Sequence, residues 1–160
     1  MDTPSNTDLT VEIVGFEDRY ANDFARLNYE WLEMYFDVED HDREMLDAPI
    51  DYIIKPGGQI FFAKVDGQIV GTVALIVVDQ DTYELAKMGV TPKYKGLKIG
   101  KKLMHHAIEE ARKAGRKRLV LESNTKLTAA INLYIDSGFK AAPLACSPYA
   151  RCNIRMELKL

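Results

Sequence analysis

Cysteine is scarce in this chain: two are present among 160 residues, Cys146 and Cys152. Neither has neighbours at metal-ligand spacing, which excludes a disulfide framework and gives no zinc site. Long apolar runs are missing too. The longest nearly unbroken one, Ile69 to Val78, is ten residues, about half of the roughly 20 a membrane helix needs. The first ten residues are polar and acidic, without the basic-then-apolar order of a secretory signal, so the expected setting is cytoplasmic and away from membranes. No repeat, linker or low-complexity tract divides the chain, and residues 1–160 read as one domain with a core of ordinary size. Of the three histidines, His41 lies in an acidic stretch, and His105 and His106 are neighbours on different faces of a helix, so no metal site is expected.

What is present is a lopsided charge. Residues 1–60 carry fifteen acids against four bases, and residues 61–160 carry nine acids against seventeen bases. Ala86 to Arg118 alone holds eleven Lys or Arg, with Glu109 and Glu110 its only acids. Such an excess is either a solvated face or a site for phosphate or nucleic acid. Its one aromatic is Tyr94, too few rings for base stacking, which argues against nucleic acid.

Val11–Gly15 reads as a first strand and Ala21–Phe36, with apolar residues at helical spacing, as a helix. Asp37–Asp51 reads as a shorter helix or a loop, broken by Pro56-Gly57-Gly58. Gln59–Val65 and Gln68–Val78 flank Asp66-Gly67, a strong hairpin signal, and Tyr83–Val90 alternates as a third strand. Gly100–Ala114 carries Leu103, Met104, Ala107, Ile108 and Ala111 on one stripe, an amphipathic helix that stops at Gly115. Arg118–Ser123 is then a strand, and strand–helix–strand implies a parallel pair. Thr128–Ser137 reads as another helix, with Phe139–Pro143 and Asn153–Leu158 as closing strands. The class is mixed α/β, with an antiparallel start and a parallel middle.

The chemistry concentrates at Lys95-Gly96-Leu97-Lys98-Ile99-Gly100-Lys101, between a strand and the amphipathic helix. The first amides of a helix have no internal partner, and the peptide dipoles add about half a positive charge there. Gly96 and Gly100 permit close backbone approach, and Lys95, Lys98, Lys101 and Lys102 add full charges that favour a polyphosphate. A basic loop with two turn glycines is the alternative reading. The Gly-Lys-Ser/Thr ending of an NTPase loop and the three glycines of a dinucleotide fingerprint are both lacking.

This segment, following Met88-Gly89-Val90-Thr91-Pro92, resembles the phosphate loop of the GNAT superfamily of acetyl-CoA-dependent N-acetyltransferases. Lys95 stands where that family has Arg or Gln, and Lys98 where it has glycine, so the Lys98 side chain must point away or contact a phosphate itself. Asn124 at the end of the next strand, Ala129-Ala130-Ile131-Asn132-Leu133-Tyr134 and Ser137-Gly138-Phe139 match the family's closing helix and turn, with Leu127 where asparagine is usual. The resemblance implies a single mixed sheet with an antiparallel N-terminal part and splayed parallel central strands flanked by helices.

It also implies roles. Met88 and Val90 would pair through their backbone with the pantetheine arm, residues Lys95 to Lys101 would hold the pyrophosphate, and Asn124 would bond the arm from the other side of the splay. Met88 or Gly89 would present an amide to the oxyanion. Glu84 is the candidate general base, or else the polar member of an alternating strand. Tyr134 is the candidate acid for the departing thiolate, or else a packed ring.

For the acceptor, Trp31, Tyr35 and Phe36 form an aromatic group, core or binding wall, and the acids of Asp37–Asp51 would attract a cationic amine. Arg151 is placed to clasp a substrate carboxylate, or else to pair with a nearby acid. The implied activity is acetyl transfer from acetyl-CoA to the primary amine of a small-molecule or amino acid-like acceptor, by direct attack in a ternary complex. The alternatives are a protein lysine or N-terminal acetyltransferase and a non-catalytic acyl-CoA sensor. The resemblance also admits a homodimer.

Overall fold

The computed structural model describes residues 10–94, 96–144 and 147–160. Its elements are β1 (Val11–Gly15), α1 (Ala21–Tyr35), α2 (Asp40–Asp47), β2 (Gln59–Val65), β3 (Gln68–Asp79), β4 (Thr82–Val90), α3 (Ile99–Lys113), β5 (Arg118–Ser123), α4 (Thr128–Asp136), β6 (Lys140–Ala142) and β7 (Ile154–Lys159). The strands form one seven-stranded sheet in the order β1-β2-β3-β4-β5-β7-β6. Among the described strands only β4 and β5 run parallel, which is the mixed sheet with a parallel centre that the sequence predicts.

Local chemistry explains the joints. Asp66 and Gly67 both take positive φ, 50° and 76°, the pair of left-handed residues that a two-residue hairpin needs to match strand twist. The acidic segment resolves into α2 and a separate π-helical turn at Ile50–Ile54. A reciprocal cap starts α2: Glu39 takes the N3 amide, and the Glu39 amide donates to Asp42 at 3.0 Å. The first closing strand shrinks to three residues at the sheet's edge, next to Pro143.

β2 is apolar from Ile60 to Ala63 because both its faces are buried there. Phe61, Ala63 and Val65 belong to a core with Leu103, Met104, Ala107 and Ala111 of α3, while Ile60 and Phe62 join Phe24 and Leu32 of α1 on the opposite face. At roughly 25 cal/mol per Å² of apolar area removed from water, these two layers dominate the stability.

Two departures from regular pairing set up the site. First, β4 and β5 are in register only from Thr82/Arg118 to Glu84/Val120. Beyond that, β4 follows β3 to Val90 and β5 follows β7 to Ser123, so the parallel strands part into a wedge. Second, Thr72 faces Gly89 while Ala74 faces Ala86, leaving Val73 opposite both Lys87 and Met88. Lys87 has a φ of 54°, the extra residue of a bulge that turns β4 at the splay.

Candidate active site

The wedge opens into a cavity of about 600 Å³. One wall is β4 from Glu84 to Val90, the facing wall is Glu122 to Asn124 with α4, and one end is the start of α3. Past Glu84 the β5-facing backbone of β4 makes no sheet pair, so its amides and carbonyls are open to an amide-bearing chain laid along them. The first α-helical bond of α3 runs from the Lys102 amide to the Lys98 carbonyl at 3.0 Å, leaving the amides of Ile99, Gly100 and Lys101 at the cap. Open strand backbone at one end and free helix amides at the other fit the pantetheine and pyrophosphate of coenzyme A.

The phosphate loop differs in detail from the sequence expectation. Lys98 caps α3 in the left-handed region, φ 57° and ψ 36°, which accounts for glycine being the easier residue at that position. Its side chain is exposed and borders the cavity with Gly96, Ile99 and Gly100. Leu97 does not face the cavity: it is buried in the α3 core, a hydrophobic plug beneath the loop. Lys101 is exposed and also lies off the lining. Lys95 and Cys146 lie outside the described residues.

Met88, Gly89 and Val90 line the cavity. Gly89 is obligatory here for a steric reason. A Cβ on it would come within 2.8 Å of Trp31 Cδ1 and 3.1 Å of the Leu27 carbonyl oxygen, and the second is backbone that cannot yield cheaply. Gly89→Ala is therefore expected to cost about 1–3 kcal/mol and to push Trp31 out of place. Trp31 is the one tryptophan in the sequence, so its intrinsic fluorescence reports the shift directly; an unchanged spectrum and melting curve would contradict this packing.

Glu84 and Tyr134 both reach the cavity. Burial raises the Glu84 carboxyl above its ordinary value, and the charge of Glu122 raises it further against the pull of Lys87 and Arg155. Glu122 was not picked out from the sequence, although it lies two residues beyond Val120, the register partner of Glu84, and so on the same face. Tyr134 is pushed up to about 12 by burial, with Ser123 acting the other way. Burial likewise raises the free thiol of Cys152, which also lines the cavity.

Asn124 and Arg151 both line the cavity and both also bond within the protein. The Asn124 amide nitrogen donates to the Arg151 carbonyl at 2.7 Å and its oxygen accepts from the Lys126 amide at 2.9 Å. Asn124 thus ties the loop after β5 to the C-terminal segment from a position on the cavity wall. Arg151 meets the nearby acid rather than an open carboxylate site: its NH1 and NH2 donate to Asp42 at 2.7 Å each, and NH1 also to Glu39 at 3.1 Å. Trp31 and Tyr35 do border the cavity, with the indole N–H held by Asn28 at 3.0 Å and the Tyr35 carbonyl accepting from Lys126 at 3.0 Å.

Behind this wall lies a network that local sequence patterns do not reveal. Lys87 Nζ donates to Asp42 at 2.7 Å and to the Tyr149 hydroxyl at 2.8 Å. The Asp42 side chain is wholly buried and that of Lys87 is 3% exposed. Burial alone would raise Asp42, yet hydrogen bonds from Arg151 and Lys87 hold it at about 2. The network joins the β4 bulge, the cap of α2 and the C-terminal segment into one support.

Among the described residues no group of His, Cys, Asp and Glu is arranged to hold a metal, and no helix is long and apolar enough to cross a membrane. The sequence model of the Acetyltransferase (GNAT) family matches residues 25–139. The uncharacterized N-acetyltransferase YjgM of Escherichia coli K12 is 34% identical over 120 residues, 72% of each chain. A GNAT-family acetyltransferase from Staphylococcus aureus Mu50 superimposes with a TM-score of 0.84 at 23% identity, covering 94% of this chain and 99% of that one. The PaiA N-acetyltransferase of Thermoplasma acidophilum, solved with coenzyme A, superimposes at 0.75 with 20% identity over 94% and 99%. A wedge between parallel strands, a helix start that can hold a diphosphate, and this sequence match all agree: the chain belongs to the GNAT family of acetyltransferases.

Proposed function

We propose that residues 1–160 form one cytoplasmic catalytic domain that transfers the acetyl group of acetyl-CoA to the primary amine of a small-molecule acceptor in a ternary complex. The observation that carries this reading is the half-buried Glu84 carboxyl at the head of the wedge, which lines the same cavity of about 600 Å³ as Tyr134 and the start of α3. Coenzyme A supplies an acetyl thioester, an electrophilic carbonyl with a sulfur leaving group.

Glu84 accepts a proton from the amine as the new C–N bond forms, either directly or through one water, and its raised pKa makes it a stronger base than an exposed carboxylate. The Met88 or Gly89 amide, turned by the bulge, donates to the carbonyl oxygen as it gains charge. Tyr134 donates a hydrogen bond to the sulfur as the C–S bond breaks. Full proton delivery from a phenol held at about 12 to a thiolate with a pKa of about 8.5 runs uphill. Tyr134 therefore stabilises the leaving group, and the proton collected on Glu84 balances the reaction.

A thiol-release screen of the purified protein with acetyl-CoA against a panel of amines tests the reading; no release with any amine rejects it. In the same assay Tyr134→Phe is expected to lower kcat by about 10–100-fold while the KM for acetyl-CoA stays within about a factor of two. An unchanged kcat would remove the hydroxyl from the mechanism.

A further inference from the structure

We propose that the acceptor carries a second positive charge and no carboxylate, and that Glu122 is the residue that selects it; the inference rests on the acetyl-transfer reading above. It begins with the charges on the cavity wall. Two bases line the acceptor end, Lys87 and Arg151, and both are already satisfied. Asp42 takes both Arg151 terminal nitrogens and Lys87 Nζ at 2.7 Å each, and Glu39 takes Arg151 NH1 at 3.1 Å. Neither Asp42 nor Glu39 lines the cavity, so the two cations are cancelled from behind the wall. A substrate carboxylate would have to displace a completely buried one to reach them.

The cavity acids are in the opposite condition. Glu84 and Glu122 make no ion pair among the described residues. Arg155, level with Glu122 in the β5–β7 register, turns to Glu157 at 3.6 Å and is not part of the lining. Lys126 at the mouth is engaged by the Tyr35 carbonyl at 3.0 Å and lies 4.2 Å from the centre of the Phe36 ring. Glu122 is a held group, since the Ser147 hydroxyl donates to its Oε2 at 2.5 Å. Its Oε1 has no hydrogen-bond partner among the described residues.

The two acids thus divide the work. Glu84 takes the proton of the reacting nitrogen. Glu122, two residues or about 6.6 Å further along the neighbouring strand, offers a carboxylate oxygen to a second ammonium. Trp31, Phe36 and Tyr149 line the cavity and supply an apolar wall for the chain between the two nitrogens.

Three acceptors of equal chain length isolate the far end of the substrate: cadaverine ends in an ammonium, n-pentylamine in a methyl and δ-aminovalerate in a carboxylate. The expected kcat/KM for cadaverine exceeds that for n-pentylamine by about tenfold or more, with δ-aminovalerate below both. In Glu122→Gln, which keeps the side chain's shape and its Ser147 partner, the cadaverine to pentylamine ratio falls to about one. That ratio is insensitive to a fraction of misfolded protein. Calorimetric titration of the three amines into the coenzyme A complex reads the same order without turnover. Equal or better use of δ-aminovalerate, or a cadaverine preference that survives in Glu122→Gln, overturns the proposal. Selective cadaverine binding without acetyl transfer would reject the catalytic reading while leaving the selectivity standing. Transfer to all three amines alike would do the reverse.

Discussion

Asp42→Ala is expected to destabilise the protein by roughly 3–5 kcal/mol, the largest loss from any single side chain outside the apolar core. The cause is what remains behind. Lys87, 3% exposed, and Arg151, 11% exposed, would face one another without the carboxylate that both hold at 2.7 Å. Burial already pulls the Lys87 ammonium down from its ordinary value even with Asp42 in place. Tyr149 alone cannot neutralise it. The α2 cap would loosen as well, because the Glu39 amide donates to the same carboxylate at 3.0 Å. Denaturant unfolding of the variant at neutral pH measures the loss directly, and a change below about 1 kcal/mol would show the network to be dispensable.

The pH dependence has a definite sign. Asp42 sits at about 2 in the fold against 3.8 unperturbed, so its contribution is complete above pH 4 and disappears as the pH falls through about 2. The shift corresponds to about 2 kcal/mol, and Asp42→Asn should flatten the acid limb of the stability curve by that amount. Replacing the set together, with Leu at 42 and Met at 87 and 151, should recover much of the loss, since an apolar group demands no partner. Charge is retained here for the shape it imposes: Lys87 reaches Asp42 from the left-handed residue of the bulge, fixing the turn that aims the β4 amides.

Much of this architecture is legible along the chain because its causes are local. Asp66-Gly67 dictates the hairpin, the apolar stripe from Leu103 to Ala111 dictates α3, and Gly115, at φ 79°, ends it. The phosphate loop is legible for the same reason, since its glycines and lysines adjoin the helix whose amides they frame. What escapes the sequence is long-range. Lys87 and Asp42 are 45 residues apart, and Arg151 and Asp42 are 109 apart, so no periodicity or spacing brings them together. The two readings of Arg151, a carboxylate clasp or the partner of a nearby acid, stay open in the sequence for that reason, because Asp42 lies 109 residues away. Leu97 was read with the loop's ligand-facing residues, but as the one large apolar side chain between Gly96 and Lys98 it is drawn into the core instead. Glu122 carries no local signal within its strand. Only the register with β4 reveals it beside Glu84.

Glu84→Gln should lower kcat/KM by about 10²–10⁴-fold and at the same time raise stability at neutral pH by on the order of 1 kcal/mol. The two effects have one origin. The fold disfavours the charged carboxylate, through burial first and the Glu122 charge second, so the group binds its proton more tightly in the folded state than the ordinary 4.5. Above the folded pKa the unfolded chain carries the charge at lower cost, and the native state is penalised. Below pH 4.5 the carboxyl is protonated in both states and the penalty vanishes. A neutral glutamine removes the penalty at every pH, so the variant's gain should be greatest at neutral pH and disappear under acid. Catalysis runs the other way: the wild-type kcat/KM should fall as the pH drops through the raised Glu84 pKa, and that limb should be missing from the residual activity of the variant. Thermal melts at two pH values and a pH–rate profile check both halves. A variant that loses activity without gaining stability would mean that Glu84 is well solvated, whereas one that gains stability and keeps its rate would locate the base elsewhere, with Glu122 the carboxylate to examine next.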